Sequence, residues 1–219
     1  MISLSDLRRY KAEGRKFSCL TCYDASMAKA MEIAEVDSIL IGDSLGMSIQ
    51  GRDSTLPVTV EDMAYHTAAV RRGNQHALIM TDLPFMSYAT LNDALQSSKT
   101  VMQAGAQMVK MEGGAWLAET LEVLTRNGIP VCVHLGLTPQ SVHVFGGYKL
   151  QARTREAADK LIADCQAVVD AGAALLLLEC VPAQLGQEIS ALFPHIPVIG
   201  IGAGADTDGQ VLVVQDLLG

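Results

Sequence analysis

Strand and helix signals alternate along nearly the whole chain. They predict an α/β fold, a (β/α)8 TIM barrel formed as one domain over residues 1–219 and preceded by an extra N-terminal helix. Three observations carry this. Short aliphatic runs such as Ser38-Ile39-Leu40-Ile41 and Ala174-Leu175-Leu176-Leu177-Leu178 read as parallel strands buried on both faces. Helix start and stop signals stand between those runs. Eight such units follow one another, which favours a closed barrel over an open doubly wound sheet.

In chain order, a helix over residues 4–13 closes at Gly14 and precedes a strand at 17–22. Asp24 can cap the helix that begins at Ala25, and the second strand follows at 38–43. Thr59 with Asp62 has the pattern of a capping box, Gly73 is read as the left-handed stop, and 77–82 is the third strand. Thr90 with Asp93 repeats the cap and Gly105 the stop before a strand at 108–112. Asn127-Gly128 ends the next helix ahead of Pro130 and a strand at 130–134. Gly172 closes another helix, and strands follow at 174–179, 197–201 and 210–214. Such barrels usually take about 250 residues. The chain stops at Gly219, just after the eighth strand, so the last helix is expected to be missing or the closure to differ.

Bulk properties fit an enzyme in water. The chain is 49% hydrophobic with a mean hydropathy of +0.25, as suits a sheet covered on both faces. No apolar run reaches the ~18 residues of a membrane span, and the N-terminus lacks the apolar stretch of a signal peptide. A net charge of −8 without a basic stripe argues against nucleic acid as a partner. Five cysteines, mostly inside apolar runs, indicate reduced thiols and a cytoplasmic location.

The informative feature is that apolar runs end in acids: Asp43, Asp82, Glu112 and Glu179. A carboxylate at the end of a barrel strand stands at the face where this fold places its chemistry. Asp43, Asp82 and Glu112 close consecutive strands, and three carboxylates in one arc repel unless a cation lies among them. All-oxygen ligands favour a hard ion, and Mg2+ takes one or two carboxylates while leaving room for water or substrate. Glu179, on the sixth strand, faces that arc as a general base would. Lys110 shares a strand side with Glu112 and could bind a substrate carboxylate.

Structural readings stand beside these. Asp24 reads as a cap alone. Asp43 could also be a cap, although Leu45-Gly46 does not open a helical pattern. Asp82 could sit in a turn before Leu83-Pro84, Glu179 could neutralise a buried cation, and Glu112 could be only the partner of Lys110. Cys19 and Cys22 have metal or redox spacing but lie in a strand with no second such pair, so they read as packing. Gly200, Gly202 and Gly204 lack the spacing of a dinucleotide fingerprint. His134 ends the fifth strand among the acids and is open to either a structural or a chemical role. The long loop at 135–151, with Gly146-Gly147, is a candidate lid or a plain surface loop.

Longer motifs go further. They are Gly42-Asp43-Ser44-Leu45-Gly46-Met47, Tyr65-His66-Thr67, Asp82-Leu83-Pro84-Phe85-Met86, Lys110-Met111-Glu112-Gly113-Gly114, His134-Leu135-Gly136-Leu137-Thr138-Pro139-Gln140, Phe145-Gly146-Gly147-Tyr148-Lys149 and Gly200-Ile201-Gly202-Ala203-Gly204. Together they resemble the ketopantoate hydroxymethyltransferase family over almost the full chain. The resemblance implies Mg2+-dependent hydroxymethyl transfer from 5,10-methylenetetrahydrofolate to 3-methyl-2-oxobutanoate through a metal-stabilised enolate. The product is 2-dehydropantoate, the first step of pantothenate synthesis. By the same resemblance Asp43, Asp82 and Glu112 surround the metal, and Asp43, Ser44, Asp82 and Lys110 meet the substrate, with Ser44 and Lys110 at its carboxylate. Glu179, within Leu178-Glu179-Cys180-Val181-Pro182, is the proton acceptor. Family members continue past the position of Gly219 with a helical segment and form homo-oligomers, which implies a decamer. Two other classes stay open, a metal-dependent lyase or aldolase of 2-oxo acids and a non-catalytic binder. The intact Glu179 speaks against the binder, since binding needs no base.

Overall fold

A computed structural model describes residues 1–147 and 149–219. Tyr148, part of the motif at 145–149 and of the candidate lid at 135–151, lies outside the described residues. Among these, eight strands close in sequence order into a barrel: β1 (Phe17–Thr21), β2 (Ser38–Ile41), β3 (Leu78–Asp82), β4 (Met108–Glu112), β5 (Val131–Gly136), β6 (Leu175–Glu179), β7 (Val198–Ile201) and β8 (Gly209–Leu212). Recorded pairings are parallel, as in β2 with β3, where Ile41 faces Thr81, and β5 with β6, where Gly136 faces Glu179. Every residue of β2, β3 and β4 is buried, because helices cover one side of these strands and barrel neighbours the other. Each fully buried Ile39, Ile79 or Leu176 contributes about 1.5–3 kcal/mol through the surface it withdraws from water.

The helices are α1 (Leu4–Ala12), α2 (Ala25–Ile33), α3 (Leu45–Ser48), α4 (Val60–Gly73), α5 (Leu91–Ala104), α6 (Ala118–Arg126), α7 (Val142–Phe145), α8 (Arg155–Asp170), α9 (Ala183–Leu192) and α10 (Val214–Leu218). The caps read from sequence are present. Asp24 accepts the N–H groups of Ser26 and Met27, and Thr59 and Asp62 form the reciprocal capping box. Thr90 accepts the N–H of Asp93. Gly105 and Gly172 follow their helices with φ of +122 and +103, where a side chain would be strained.

Several expectations are corrected. Gly73 is not a left-handed cap but the last residue of α4. A Cβ there would stand 2.2 Å from the carbonyl oxygen of Ala25, so glycine is required by the close approach of α2. Leu45-Gly46 does open a helix, the four-residue α3. Asp43 lies two residues beyond β2 rather than at its end. β8 ends at Leu212, not Val214, and the five residues of α10 follow. The connection from β7 to β8, at 202–208, carries no helix. Gln210 and Leu212 of β8 are exposed, alternating with buried Gly209 and Val211.

The chain folds as two compact units, one of Met1–Ser3, Ser18–Lys110 and Leu212–Gly219, the other of Leu4–Phe17 and Met111–Val211. In the first, the Val214 N–H donates to Thr21 Oγ1 and ties the C-terminal segment to β1. In the second, Lys11 of α1 is the main fastening. Its buried ammonium forms an ion pair of 2.7 Å with Asp208 and donates to the carbonyls of Ser190 and Ile196. Asp208 Oδ2 also accepts the Val198 N–H, so one carboxylate joins α1 to the start of β7.

Candidate active site

In the first unit the site residues gather at the ends of β2, β3 and β4. Thr81 shares a hydrogen bond of 2.9 Å with Thr67 of α4, so its side chain faces the helix layer. Strand alternation then turns Asp82 to the opposite face, into the barrel. Asp82 is paired in register with Lys110 of β4, which puts their side chains on one face. The result is an ion pair of 2.8 Å between side chains that are 3% and 4% exposed. The other oxygen of Asp82 accepts the backbone N–H of Asp43 at 3.0 Å. One carboxylate thus holds the Lys110 ammonium and fixes the turn that carries Asp43, itself buried.

Ser44 follows at the start of α3 with no capping bond of its own. Its hydroxyl shares a hydrogen bond of 2.9 Å with that of Tyr23. Burial is the main cause that raises the Tyr23 pKa, with the Ser44 bond opposing it. Tyr23 was not singled out from sequence; its place two residues beyond β1, beside Asp24, is the only signal there.

The second unit holds a different group. Glu112, at the end of β4, is buried, and its Oε2 accepts the backbone N–H of Gln140 at 2.9 Å. Its Oε1 lies 3.5 Å from His134 Nδ1, while His134 Nε2 lies 3.2 Å from Glu179 Oε2. The imidazole is 3% exposed and the Glu179 side chain 18%, so the ring is enclosed and the carboxylate is partly open. The expectation that Glu112 serves only Lys110 is replaced: Lys110 pairs with Asp82, and Glu112 is engaged by Gln140 and His134. Glu179 does face a ring that can carry charge, but from β5 rather than from a lysine or arginine.

The end of β6 is tightly built. The Leu137 N–H donates to the Glu179 carbonyl, and a Cβ on Gly136, whose φ is +90, would stand 2.3 Å from that oxygen. Cys180 follows with φ of +48, a left-handed conformation that costs a non-glycine residue about 1–3 kcal/mol. Its carbonyl accepts the N–H of Gln151 and so anchors one end of the candidate lid. A cavity of about 210 Å3 lies beside Glu112, with Gly113, Trp116, Thr138 and Asp164 among its walls.

The donor set bears on a metal. Among the described residues, no three His, Cys, Asp or Glu side chains form a ready cage. Mg2+ needs fewer, since one or two carboxylates suffice when water and substrate complete its shell. Asp43 and Asp82, buried and joined through a backbone hydrogen bond, offer that hard oxygen chemistry. The other motifs read as packing. A Cβ on Gly200 would meet Thr207 and one on Gly204 would meet Ala183, so both glycines admit a close neighbour.

Cys19 and Cys22 are free and buried, and burial pushes their thiols up to about 12 and about 11. Burial thus disfavours the reactive thiolate at both positions near neutrality. The double Ala variant should therefore keep most activity, and the parent protein should hold no zinc by elemental analysis. Stoichiometric zinc that disappears in the variant would contradict this.

Comparison with known proteins agrees with the motifs. A family model described as ketopantoate hydroxymethyltransferase matches residues 1–219. A protein of Acinetobacter baumannii (strain AYE) named 3-methyl-2-oxobutanoate hydroxymethyltransferase is 89% identical over 219 residues, all of this chain and 81% of that protein. Proteins of the same name from Acinetobacter baylyi and Psychrobacter sp. (strain PRwf-1) are 85% and 65% identical with the same coverage. Among solved structures, phosphoenolpyruvate phosphomutase from Streptomyces platensis subsp. rosaceus aligns with a TM-score of 0.73 at 13% identity, covering 99% of this chain and 82% of that one. A 2,3-dimethylmalate lyase of the PEP mutase/isocitrate lyase superfamily aligns at 0.70 and 14%, with the same coverage. At such identities these two show the shared barrel only.

Proposed function

The chain belongs to the ketopantoate hydroxymethyltransferase family, and from that membership we propose that it acts as a 3-methyl-2-oxobutanoate hydroxymethyltransferase. It moves the one-carbon unit of 5,10-methylenetetrahydrofolate onto 3-methyl-2-oxobutanoate and yields 2-dehydropantoate for pantothenate synthesis. The observation that carries the reading is Glu179, whose carboxylate lies 3.2 Å from a buried imidazole yet remains partly open. A carboxylate meant only to neutralise a core cation would be closed off, whereas a base must be both fixed and reachable.

The residues divide the work. Glu179 takes the proton from the carbon beside the ketone. Lys110 and Ser44 hold the substrate carboxylate, and in doing so orient that carbon. Asp43, Asp82 and Glu112 would hold Mg2+, which when bound offsets the negative charge that gathers on the substrate oxygens. Lys110 meets the substrate from a buried position, where an ammonium binds an anion more strongly than it does in water. The enolate carbon then bonds to the methylene carbon of the folate, whose C–N bonds break to release tetrahydrofolate, and water supplies the hydroxyl of the product. Family membership and the free cysteines are likewise the grounds for reading the protein as a cytoplasmic homo-oligomer.

The test is direct. Purified protein given 3-methyl-2-oxobutanoate, 5,10-methylenetetrahydrofolate and Mg2+ should form 2-dehydropantoate, detected by mass spectrometry, and omission of either substrate should abolish it. No product here, together with cleavage of 2-methylisocitrate or oxaloacetate, would assign the protein to a lyase reaction instead.

A further inference from the structure

We propose that His134 is a positioning residue that aims the Glu179 carboxylate at the substrate, an inference that rests on the reading of Glu179 as the base. The ring lies in β5 between two carboxylates, with Nδ1 3.5 Å from Glu112 Oε1 and Nε2 3.2 Å from Glu179 Oε2. Its surroundings leave it little freedom. The side chain is 3% exposed, and its backbone carbonyl accepts the N–H of Gly113. Glu112, on the far side of the ring, is itself held by the Gln140 N–H. A chain of contacts therefore runs from the backbone at Gln140 through Glu112 and His134 to Glu179, all within one compact unit.

Glu179 needs such a guide. A glutamate side chain turns about three bonds, and rotamer freedom in a partly open carboxylate spreads its oxygens over positions that are mostly unproductive. The Nε2 contact is to Oε2, and the Glu179 side chain is 18% exposed, so the carboxylate remains reachable for the incoming proton. Partners that orient a reactive group in this way commonly contribute ~10–100-fold to activity. The role differs from catalysis proper, because in this arrangement the imidazole acts through Glu179.

Two substitutions separate this role from mere packing. The amide nitrogen of Gln reaches the place of Nε2, and that of Asn the place of Nδ1. With 3-methyl-2-oxobutanoate and Mg2+ in deuterium oxide, H134N should exchange the C–H beside the ketone about 10–100-fold more slowly than wild type, at a KM close to the wild-type value. H134Q should recover most of that rate. Circular dichroism and Tm establish that each variant folds. Equal losses in the two variants, or a loss confined to KM, would overturn the assignment, as would failure of both to fold, which would make His134 a packing residue. Absence of exchange in the wild type would instead bring down the proposed reaction itself, whereas normal wild-type exchange with equal variants removes only the positioning role.

Discussion

Replacing Glu179 by Gln should reduce solvent exchange at the C–H beside the ketone of 3-methyl-2-oxobutanoate by about 10²–10⁴-fold, the usual effect of losing a general base. Exchange is informative because it needs no folate and so isolates proton removal from the transfer that follows. Gln keeps the length of the side chain and its place 3.2 Å from His134 Nε2, so the end of β6 should hold its shape. The buried contacts of Glu179 with Leu137 run through its carbonyl and are indifferent to the side chain. Substrate affinity, measured by calorimetry with Mg2+ present, should stay near wild type, and hydroxymethyl transfer should fall in step with exchange. Proton NMR follows the exchange without a coupling enzyme. Wild-type exchange in the Gln variant would remove Glu179 from the reaction.

Asp82→Asn should cause the largest combined loss of stability and activity. It leaves the Lys110 ammonium, 4% exposed, without the carboxylate that lies 2.8 Å away, and breaking one side of a buried pair costs roughly 3–5 kcal/mol. Urea unfolding should register that cost. The amide oxygen can still accept the Asp43 N–H, so the turn after β2 should survive. Adding Lys110→Met removes the stranded cation and should restore much of the stability, since an apolar replacement of a whole buried pair is often close to neutral. Turnover should stay low in the double variant, because the carboxylate proposed to bind the metal and the ammonium proposed to bind the substrate are both gone. Unchanged Mg2+ affinity in folded Asp82→Asn would remove Asp82 from the metal site.

These predictions mark what was legible in the residue string. Strands such as Leu175–Glu179 announce themselves by unbroken aliphatic runs, and Thr59 with Asp62 is a local device whose parts are three residues apart. Gly105 and Gly172 were legible for the same reason. Partnerships across strands were not. Lys110 meets Asp82 because β3 and β4 pair in one register, and a slip of one residue would send the two side chains to opposite faces. His134 meets Glu179 only once β5 lies beside β6. Tyr23 gave no warning that its hydroxyl would meet Ser44. Gly73 carried the signal of a helix stop, yet it answers to Ala25, a neighbour in space alone. The connection from β7 to β8 carries no helix, and no pattern within β8 could foretell that.

The fastening of Lys11 has a consequence for how the protein is made. Its acceptors at Ser190, Ile196 and Asp208 lie up to 197 residues further along the chain. At about 5–20 residues per second on a ribosome, α1 waits roughly 10–40 s after its own synthesis before its last partner exists. Until then the lysine stays hydrated and the helix has no permanent dock. Residues 18–110 face no such delay for the pair formed by Asp82 and Lys110, whose members emerge within 28 positions of one another. Synthesis therefore favours an order in which the pair formed by Asp82 and Lys110 can consolidate on the nascent chain, while docking of α1 waits until residue 208 has been made. Contacts that distant in sequence also slow refolding from denaturant, so the Lys11 anchor is a natural reporter for the slowest step of that process.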